Sequence, residues 1–322
     1  DLFLALLGRR VETAEPELAA GLWSWVAAHA GRTGSEDMLR ERLRHAAATR
    51  AAGTGHGPML LIELTVDGID RSRYRVYCHM QGSAGPWGPR AGDAADVGIE
   101  QLEEAVGVMV AGAERAWGEG NAAGQAAIEF LLPMPLLNLP VQWYRAAPRL
   151  GLVQPICVRY PVVVRSADRM REDGLRLDWV NRWSLLDRQP FAGEVLWGVR
   201  YEARHTDVDS WATELNGDSR YVVVVLSEPP TVERGRAELV AAIAAGVPVI
   251  LWDQREEPAG KTVDDLLRRL VASEPTKLPA EMRALRVEAE RMATHDPDHL
   301  GRSVALLWDD PYRVLAEEGA GS

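Results

Sequence analysis

Lysine is almost missing from this sequence. Of 36 basic residues in 322, only Lys261 and Lys277 are lysines. Cysteine is equally scarce, with Cys78 and Cys157 alone. Two thiols exclude a disulfide framework and any CxxC metal or redox motif. Each sits in an apolar stretch, as buried reduced cysteines of a cytosolic protein do. No apolar run approaches the roughly 18 residues that cross a bilayer. Residues 2–7 are apolar, but their arginines follow rather than precede them, the reverse of a signal peptide. These shortages point to the cytoplasm. An excess of positive charge is also lacking: 47 acids against 36 bases leave a net charge of −11. That disfavours a nucleic-acid binder, because phosphate contacts need a basic surface.

What is present is a globular composition, 47% hydrophobic and 26% charged, too apolar for a disordered chain. Residues 14–30 and 35–47 carry apolar residues at helical spacing, so 1–55 reads as a helical N-terminal segment. Ala52-Gly53-Thr54-Gly55-His56-Gly57-Pro58 breaks it, leaving 56–322 as an α/β domain. Residues 59–66 and 74–80 are rich in strand formers and flank Asp67-Gly68, which predicts a β-hairpin. Between 99 and 117, Ile99, Leu102, Val106, Met109, Val110, Ala113 and Trp117 form one helical face. Residues 126–132 and 156–165 read as buried strands, the second interrupted at Pro161, and 175–186 as a helix. In the last third, 221–226 (YVVVVL) and 247–252 (VPVILW) are continuous apolar runs, as in strands covered on both faces. The amphipathic stretch 233–245 between them, capped by Gly246, makes this a βαβ unit with parallel strands. Helices follow at 262–273 and 279–293, then a short apolar piece at 304–308. The fold class is therefore α/β, with mainly parallel buried strands in the C-terminal half, an N-terminal hairpin and a helical N-terminal segment.

No catalytic constellation is complete. Ala259-Gly260-Lys261-Thr262 follows a strand and opens a helix, as a phosphate-binding loop does, and Asp309-Asp310 after an apolar strand mimics the acid of a magnesium-binding partner motif. However, Arg255 stands where the first glycine belongs, and Glu256, Glu257 and Pro258 would repel phosphate or remove a donor N–H. His295, Asp298 and His299 flank Pro297, which breaks the helical face that two metal-binding histidines would share. A site beyond the strand ends would use Ser227, Glu228, Asp253 and Gln254, but Glu228-Pro229-Pro230 lacks the glycines that admit a phosphate. There is no GxSxG elbow and no HExxH. Glu63, His79 and Glu129 lie on or beside predicted strands and are the residues a hydrolase, peptidase or nuclease, would draw on. A lysine near them is missing, and arginine does not give up a proton. The sequence thus implies no cofactor and no metal. Eleven tryptophans supply candidate anchors: Trp179 and Trp183 read as core, while Trp143, beside Tyr144 and Arg145, reads as a binding anchor.

Three segments carry a family resemblance. They are Glu129-Phe130-Leu131-Leu132-Pro133 running through Leu136-Leu137-Asn138-Leu139-Pro140-Val141 to Trp143; Tyr160-Pro161-Val162-Val163-Val164-Arg165-Ser166; and His299-Leu300-Gly301-Arg302 running to Leu307-Trp308-Asp309-Asp310-Pro311. With Gly246-Val247-Pro248-Val249 before the last, the ordered set over residues 56–316 resembles the C-terminal domain of bacterial vWA–MoxR-associated proteins. The Ala-, Gly- and Arg-rich composition agrees with a GC-rich, actinobacterial source. The resemblance implies a component of a ternary bacterial conflict (defence) system containing a MoxR-type AAA+ ATPase and a von Willebrand factor A protein. It implies an effector module, in some members a trypsin-like protease, N-terminal to this domain. It carries over no catalytic residues.

The sequence therefore points to a non-enzymatic adaptor that works through protein–protein contacts, with its acidic charge suited to basic patches on partners. Trp143, Tyr144, Arg145, Arg165, Arg302, Asp309 and Asp310 are the expected partner contacts. The alternative is a hydrolase with a site near Glu63, His79 and Glu129.

Overall fold

In the computed structural model, residues 57–315 are described apart from 69, 71, 83–86, 121–123, 149, 189–190, 202–204, 257–259 and 272–273. Of the N-terminal part, residues 24–26, 29 and 32 are described, so the expected helical segment 1–55 lies almost wholly outside the described residues. The chain divides into two compact units, one of Asp1–His56 with Ala84–Pro86, the other of Gly57–Ser83 with Trp87–Ser322. In the first, the described residues are helical, and Trp25 stacks on His29 with ring centroids 5.0 Å apart.

The second unit is built on one sheet. In chain order its elements are β1 (Met59–Val66), β2 (Arg73–Gln81), β3 (Arg90–Gly98), α1 (Leu102–Glu119), β4 (Ala127–Leu132), α2 (Ile156–Arg159), β5 (Val162–Ser166), α3 (Ala167–Arg171), α4 (Arg176–Leu186), β6 (Glu194–Trp197), α5 (Val208–Gly217), β7 (Tyr221–Val225), α6 (Glu233–Ala244), β8 (Val249–Asp253), α7 (Gly260–Val271), α8 (Leu278–Arg291) and β9 (Val304–Trp308). The nine strands stand in the order β3-β2-β1-β4-β5-β9-β8-β7-β6. β1, β4, β5 and β9 are mutually parallel. So are β8, β7 and β6, but β8 and β9 are antiparallel. Two parallel blocks thus run in opposite directions, and their C-terminal strand ends open on opposite edges of the sheet.

The predicted βαβ unit is β7–α6–β8, with Val223 beside Val249 and Val225 beside Leu251. The predicted hairpin is β1–β2, with Ile62 opposite Cys78. Every residue of β5 and β9 is buried, and successive side chains alternate between the two faces, as the pleat requires. Val162 and Val164 of β5, with Ala305 and Leu307 of β9, join the apolar cluster under α1, α5 and α6. Val163, Val304, Leu306 and Trp308 join the cluster on the other face, under α4, α7 and α8. In α1, Leu102, Val106, Met109, Val110, Ala113 and Trp117 are buried as the spacing predicts. Complete burial of each large side chain contributes roughly 1.5–3 kcal/mol. Ile99 instead lies 47% exposed, in the 3-10 turn that precedes the helix.

Several elements differ from the sequence expectation, which also named neither α3 nor β6. Residues 156–165 do not form one strand: Ile156–Arg159 is a helical turn, and the strand begins after Pro161, whose ring restrains the residue before it. β3 was hidden because Arg90–Gly98 is an edge strand with no buried residue, so it lacks an apolar alternation. α5 begins at Asp207, whose carboxylate accepts from the Ser210 N–H at 2.8 Å; this cap and the buried Trp211 and Leu215 are signals the sequence did contain. Among the described residues no helix is long and apolar enough to cross a membrane.

Candidate functional site

The C-terminal ends of β4, β5 and β9 lie side by side, the position where an open parallel sheet ordinarily holds a ligand. Here that position is filled by the protein's own charges. Arg165, fully buried, extends from β5. Its Nε donates to Asp309 Oδ1 at 3.3 Å and its Nη1 to Glu129 Oε2 at 3.2 Å. Its remaining donors reach the Arg313 carbonyl at 2.6 Å and the Asp310 carbonyl at 2.8 Å. Arg169, on α3, donates to Asp309 Oδ2 at 2.8 Å and to the Val247 carbonyl at 2.7 Å. Arg313 pairs with Glu129 and lies 3.0 Å from Asp310 Oδ2. Three arginines therefore meet three carboxylates with no excess charge. Burial pushes the Asp309 carboxyl up and the Arg169 guanidinium down, and the charge of each opposes the other's shift.

Local structure explains the convergence. β9 ends at Trp308, so Asp309 is the first residue past the sheet, where its N–H still donates to the Pro248 carbonyl at 2.9 Å. Its carboxylate also accepts from the Ser166 N–H at 3.3 Å. Ser166 in turn caps α3, accepting from the Arg169 N–H at 3.2 Å. Trp179 donates to the Asp309 carbonyl at 2.9 Å and stacks under Arg169, 5.3 Å from guanidinium to ring centroid.

A second polar knot joins Asn138 and Gln142 to the C-terminal end of β8, and Trp143 to the turn before β9. Trp252 Nε1 donates to Asn138 Oδ1 at 2.8 Å, and Gln142 Nε2 to Gln254 Oε1 at 2.6 Å. Gln254 also donates to the Asn138 and Leu139 carbonyls at 3.1 and 3.2 Å. Trp143 Nε1 donates to the Arg302 carbonyl at 2.6 Å, and the Arg302 guanidinium lies 5.1 Å over the Trp143 ring.

The residues expected to touch partners therefore separate into two sets. Arg165, Asp309 and Asp310 are buried and hold the strand ends together. Trp143, Tyr144 and Arg302 are half-buried, and Arg145 is exposed. Trp179 is core, while Trp183 is half-buried and packs edge-on against Trp308 at 5.5 Å.

Glu63, His79 and Glu129 all point to one face of the sheet, since Leu61 pairs with both His79 and Glu129. Only the first two meet: Glu63 Oε2 lies 3.6 Å from His79 Nε2, and Arg171 Nη2 lies 3.9 Å from Glu63 Oε1. They line a cavity of about 590 Å³ with Tyr77, Met170 and Leu315. Glu129 belongs instead to the buried arginine network, so the three do not converge on one cleft.

Of the strand-end candidates in the other block, Ser227 is buried and Gln254 belongs to the polar knot. Asp253 pairs with Arg255 at 2.7 Å, and Glu228 with Arg234 at 3.2 Å. Sequence reasoning missed Glu238, a fully buried acid on α6. It accepts from the Ser227 N–H and Oγ–H, each at 2.7 Å, and from the Val199 N–H at 2.9 Å, and burial pushes its carboxyl up. Gly198 is required there, because a Cβ would sit 2.5 Å from the Ser227 nitrogen. It also missed Arg182, buried among the Leu215, Asp218, Tyr221 and Ala245 carbonyls at 2.5–3.0 Å. Nothing in the spacing of these residues announces a partner so distant in sequence.

His299 Nδ1 accepts from the Gly301 N–H at 3.1 Å, a turn cap. Among the described residues no three His, Cys, Asp or Glu side chains group as a metal site. Lys261 and Thr262 begin α7, and their side chains lie outside the described residues. Asp309, compared above with a magnesium-binding acid, is already held by two arginines.

The fold and this closed network define a mixed α/β domain whose strand ends are sealed by ion pairs. Residues 70–311 match the family described as the vWA-MoxR associated protein C-terminal domain, and the chain belongs to that family. The match begins after β1, although β1 stands inside the sheet between β2 and β4. No curated protein matches the chain.

Proposed function

We propose that this domain is a non-enzymatic regulatory adaptor. It links an effector module to a MoxR-type AAA+ ATPase and a von Willebrand factor A protein of a bacterial defence system, in the cytoplasm. Family membership, through the vWA–MoxR association in its description, is one support. The observation that carries the reading is the sealing of the strand ends. Where an α/β enzyme keeps open chemistry, Arg165, Arg169 and Arg313 neutralise Glu129, Asp309 and Asp310. A carboxylate buried and paired this way is closed to a substrate, whereas a rigid frame suits transmission between docked proteins. Trp143, Tyr144, Arg145 and Arg302 are the surface-reachable residues proposed to touch partners, since the Trp143–Arg302 stack gives a rigid anchor. The acidic surface favours basic patches on those partners. The effector, a trypsin-like protease among the candidates, joins through the same chain or complex.

The test is a pull-down of the ATPase and the vWA protein encoded beside this chain, with and without ATP. Retention of either supports the reading, and a further loss with Trp143→Ala or Arg302→Ala places the contact. Absence of any complex in either nucleotide state overturns it. One observation favours the hydrolase reading: Glu63 and His79 sit together beside an open cavity. Turnover of a peptide or oligonucleotide by the purified chain, abolished by His79→Ala, would favour that reading over the adaptor.

A further inference from the structure

The sheet face under α4, α7 and α8 continues past β4 onto β1, β2 and β3, since Leu61, Glu129 and Val163 stand side by side. On that side the apolar cluster shrinks to Leu61, Leu131 and Ala167, with Trp87, Met170 and Leu315 packed against it. β3 contributes small side chains here: Ala91 stands opposite His79, and Ala94 opposite Tyr77. The space this leaves is the cavity of about 590 Å³ beside Glu63 and His79. Sites for small molecules run from roughly 300 to 1,000 Å³ and combine apolar walls with a few convergent polar groups.

Strand register divides the lining into two sides. Glu63 stands between Tyr77 of β2 and Leu131 of β4. Beyond Leu131 the wall is apolar, made by Ala167 and Met170 of α3 and by Val314 and Leu315 after β9. That wall is held from behind. Trp87 Nε1 donates to the Val314 carbonyl at 2.9 Å, and the neighbouring Arg313 pairs with Glu129. The cavity therefore has a fixed apolar half and a polar half that meet at Glu63.

The charges bordering it converge without bonding one another. His79 Nε2 lies 3.6 Å from Glu63 Oε2, and Arg171 Nη2 lies 3.9 Å from Glu63 Oε1. Both separations exceed the roughly 2.7–3.2 Å of a hydrogen bond. His79 Nε2 is shielded from solvent and has no hydrogen-bond partner, a state that calls for an explanation. Glu129, one strand over, shows the contrast, since its two oxygens bond Arg165 and Arg313. Arg75 and Asp96, farther along this face, bind each other at 2.7 Å and take no part. What remains is one acid and one arginine at the edge of an apolar recess, with no net charge between them. Glu63 repels an anion and Arg171 repels a cation. A ligand that satisfies both carries an ammonium and a carboxylate close together on an apolar body.

We propose that this cavity binds a free α-amino acid with an aliphatic side chain, of the size of leucine or methionine. The ligand's ammonium donates to Glu63. Its carboxylate accepts from the Arg171 guanidinium, whose planar fork matches a carboxylate. Its side chain lies against Leu131, Met170 and Leu315. The inference requires binding and no turnover, so it stands apart from both the adaptor and the hydrolase readings.

Isothermal titration of the whole chain with L-leucine and L-methionine tests it, with a Kd of about 1 mM or tighter expected for one of them. Isoamylamine and isocaproate each keep the apolar body and one of the two charges. Each is expected to bind about tenfold more weakly or worse, equivalent to ~1.4 kcal/mol. Glu63→Gln and Arg171→Met are each expected to weaken the amino acid by a similar factor, with unchanged melting temperatures. Ala94→Phe, at an exposed position of the edge strand that lines the cavity, is expected to fill the recess and abolish binding. Absence of heat with both amino acids overturns the proposal. So does binding that all three variants leave intact, or a single-charge analogue that binds as tightly as the amino acid. Because the readout is binding alone, failure to retain the ATPase or vWA protein, or to turn over a substrate, leaves this result unaffected.

Discussion

Arg165 and Asp309 stand 144 positions apart and meet at 3.3 Å with neither side chain exposed. A buried ion pair adds little net stability over apolar packing, but removing one partner is costly, because the other charge is left desolvated. Arg165→Met strips a guanidinium from Glu129, Asp309 and two carbonyls at once. A loss of roughly 3–5 kcal/mol is expected in urea unfolding. Arg165→Lys is expected to recover only part of that, since one ammonium cannot span both carboxylates. A loss within about 1 kcal/mol for Arg165→Met would show that the network does not seal the strand ends.

Gly246 is a second point where geometry leaves no alternative. It closes α6 at φ +79°, and a Cβ there would lie 2.5 Å from the Trp179 nitrogen and 2.7 Å from the Asp178 carbonyl carbon. Gly246→Ala therefore adds a backbone clash to the left-handed strain, which alone costs about 1 kcal/mol. The expected result is a lowered melting temperature together with an altered Trp179 environment, read by near-ultraviolet circular dichroism. An unchanged spectrum and melting temperature would refute the close packing of α4 against this turn.

The two cysteines should be chemically silent. Cys78 and Cys157 are free and buried. Burial pushes the Cys157 thiol up to about 12 and raises Cys78 as well. Because the thiolate is the nucleophile, Ellman's reagent is expected to find no rapidly reacting thiol in the native protein at neutral pH and two in denaturant. Fast reaction of either in the folded state would contradict this packing.

Much of the frame was legible because its signals are local. The YVVVVL and VPVILW runs, the Gly246 stop and the α1 stripe each reflect burial along one element. β3 was illegible for the opposite reason, since it buries nothing and is a strand only because β2 offers a ladder. The candidate site was legible in part. The residues that carry the family resemblance, Glu129, Arg165, Asp309 and Asp310, are those that converge. Their chemistry was misleading, because burial is a property of three strands and a helix together. Charged residues that read as surface contacts proved to be the internal seal. Glu238 was beyond reach for the same reason: its partners, Ser227 and the Val199 N–H, come from loops after two other strands.

Glu238 also sets a pH dependence whose sign can be worked out. Burial raises its carboxyl above the ordinary glutamate value, against the pull of the Ser227 and Val199 donors. The folded state therefore keeps the proton to a higher pH than the unfolded chain does. The stability this group contributes is complete below the unfolded pKa, near 4.3 for an unperturbed glutamate, and is lost as pH rises towards the folded value. Glu238→Gln is neutral throughout and cannot follow that change. It keeps one acceptor but turns an amide N–H toward the Ser227 N–H, so it should be less stable than wild type at acid pH. The difference in unfolding free energy, wild type minus variant, is expected to be largest near pH 4 and to shrink toward neutrality. Taking the difference cancels the exposed acids whose values move the other way, such as Asp96 beside Arg75 and Asp218 beside Arg220. A difference that grows with pH would mean that the three donors outweigh burial and that Glu238 is held as a carboxylate.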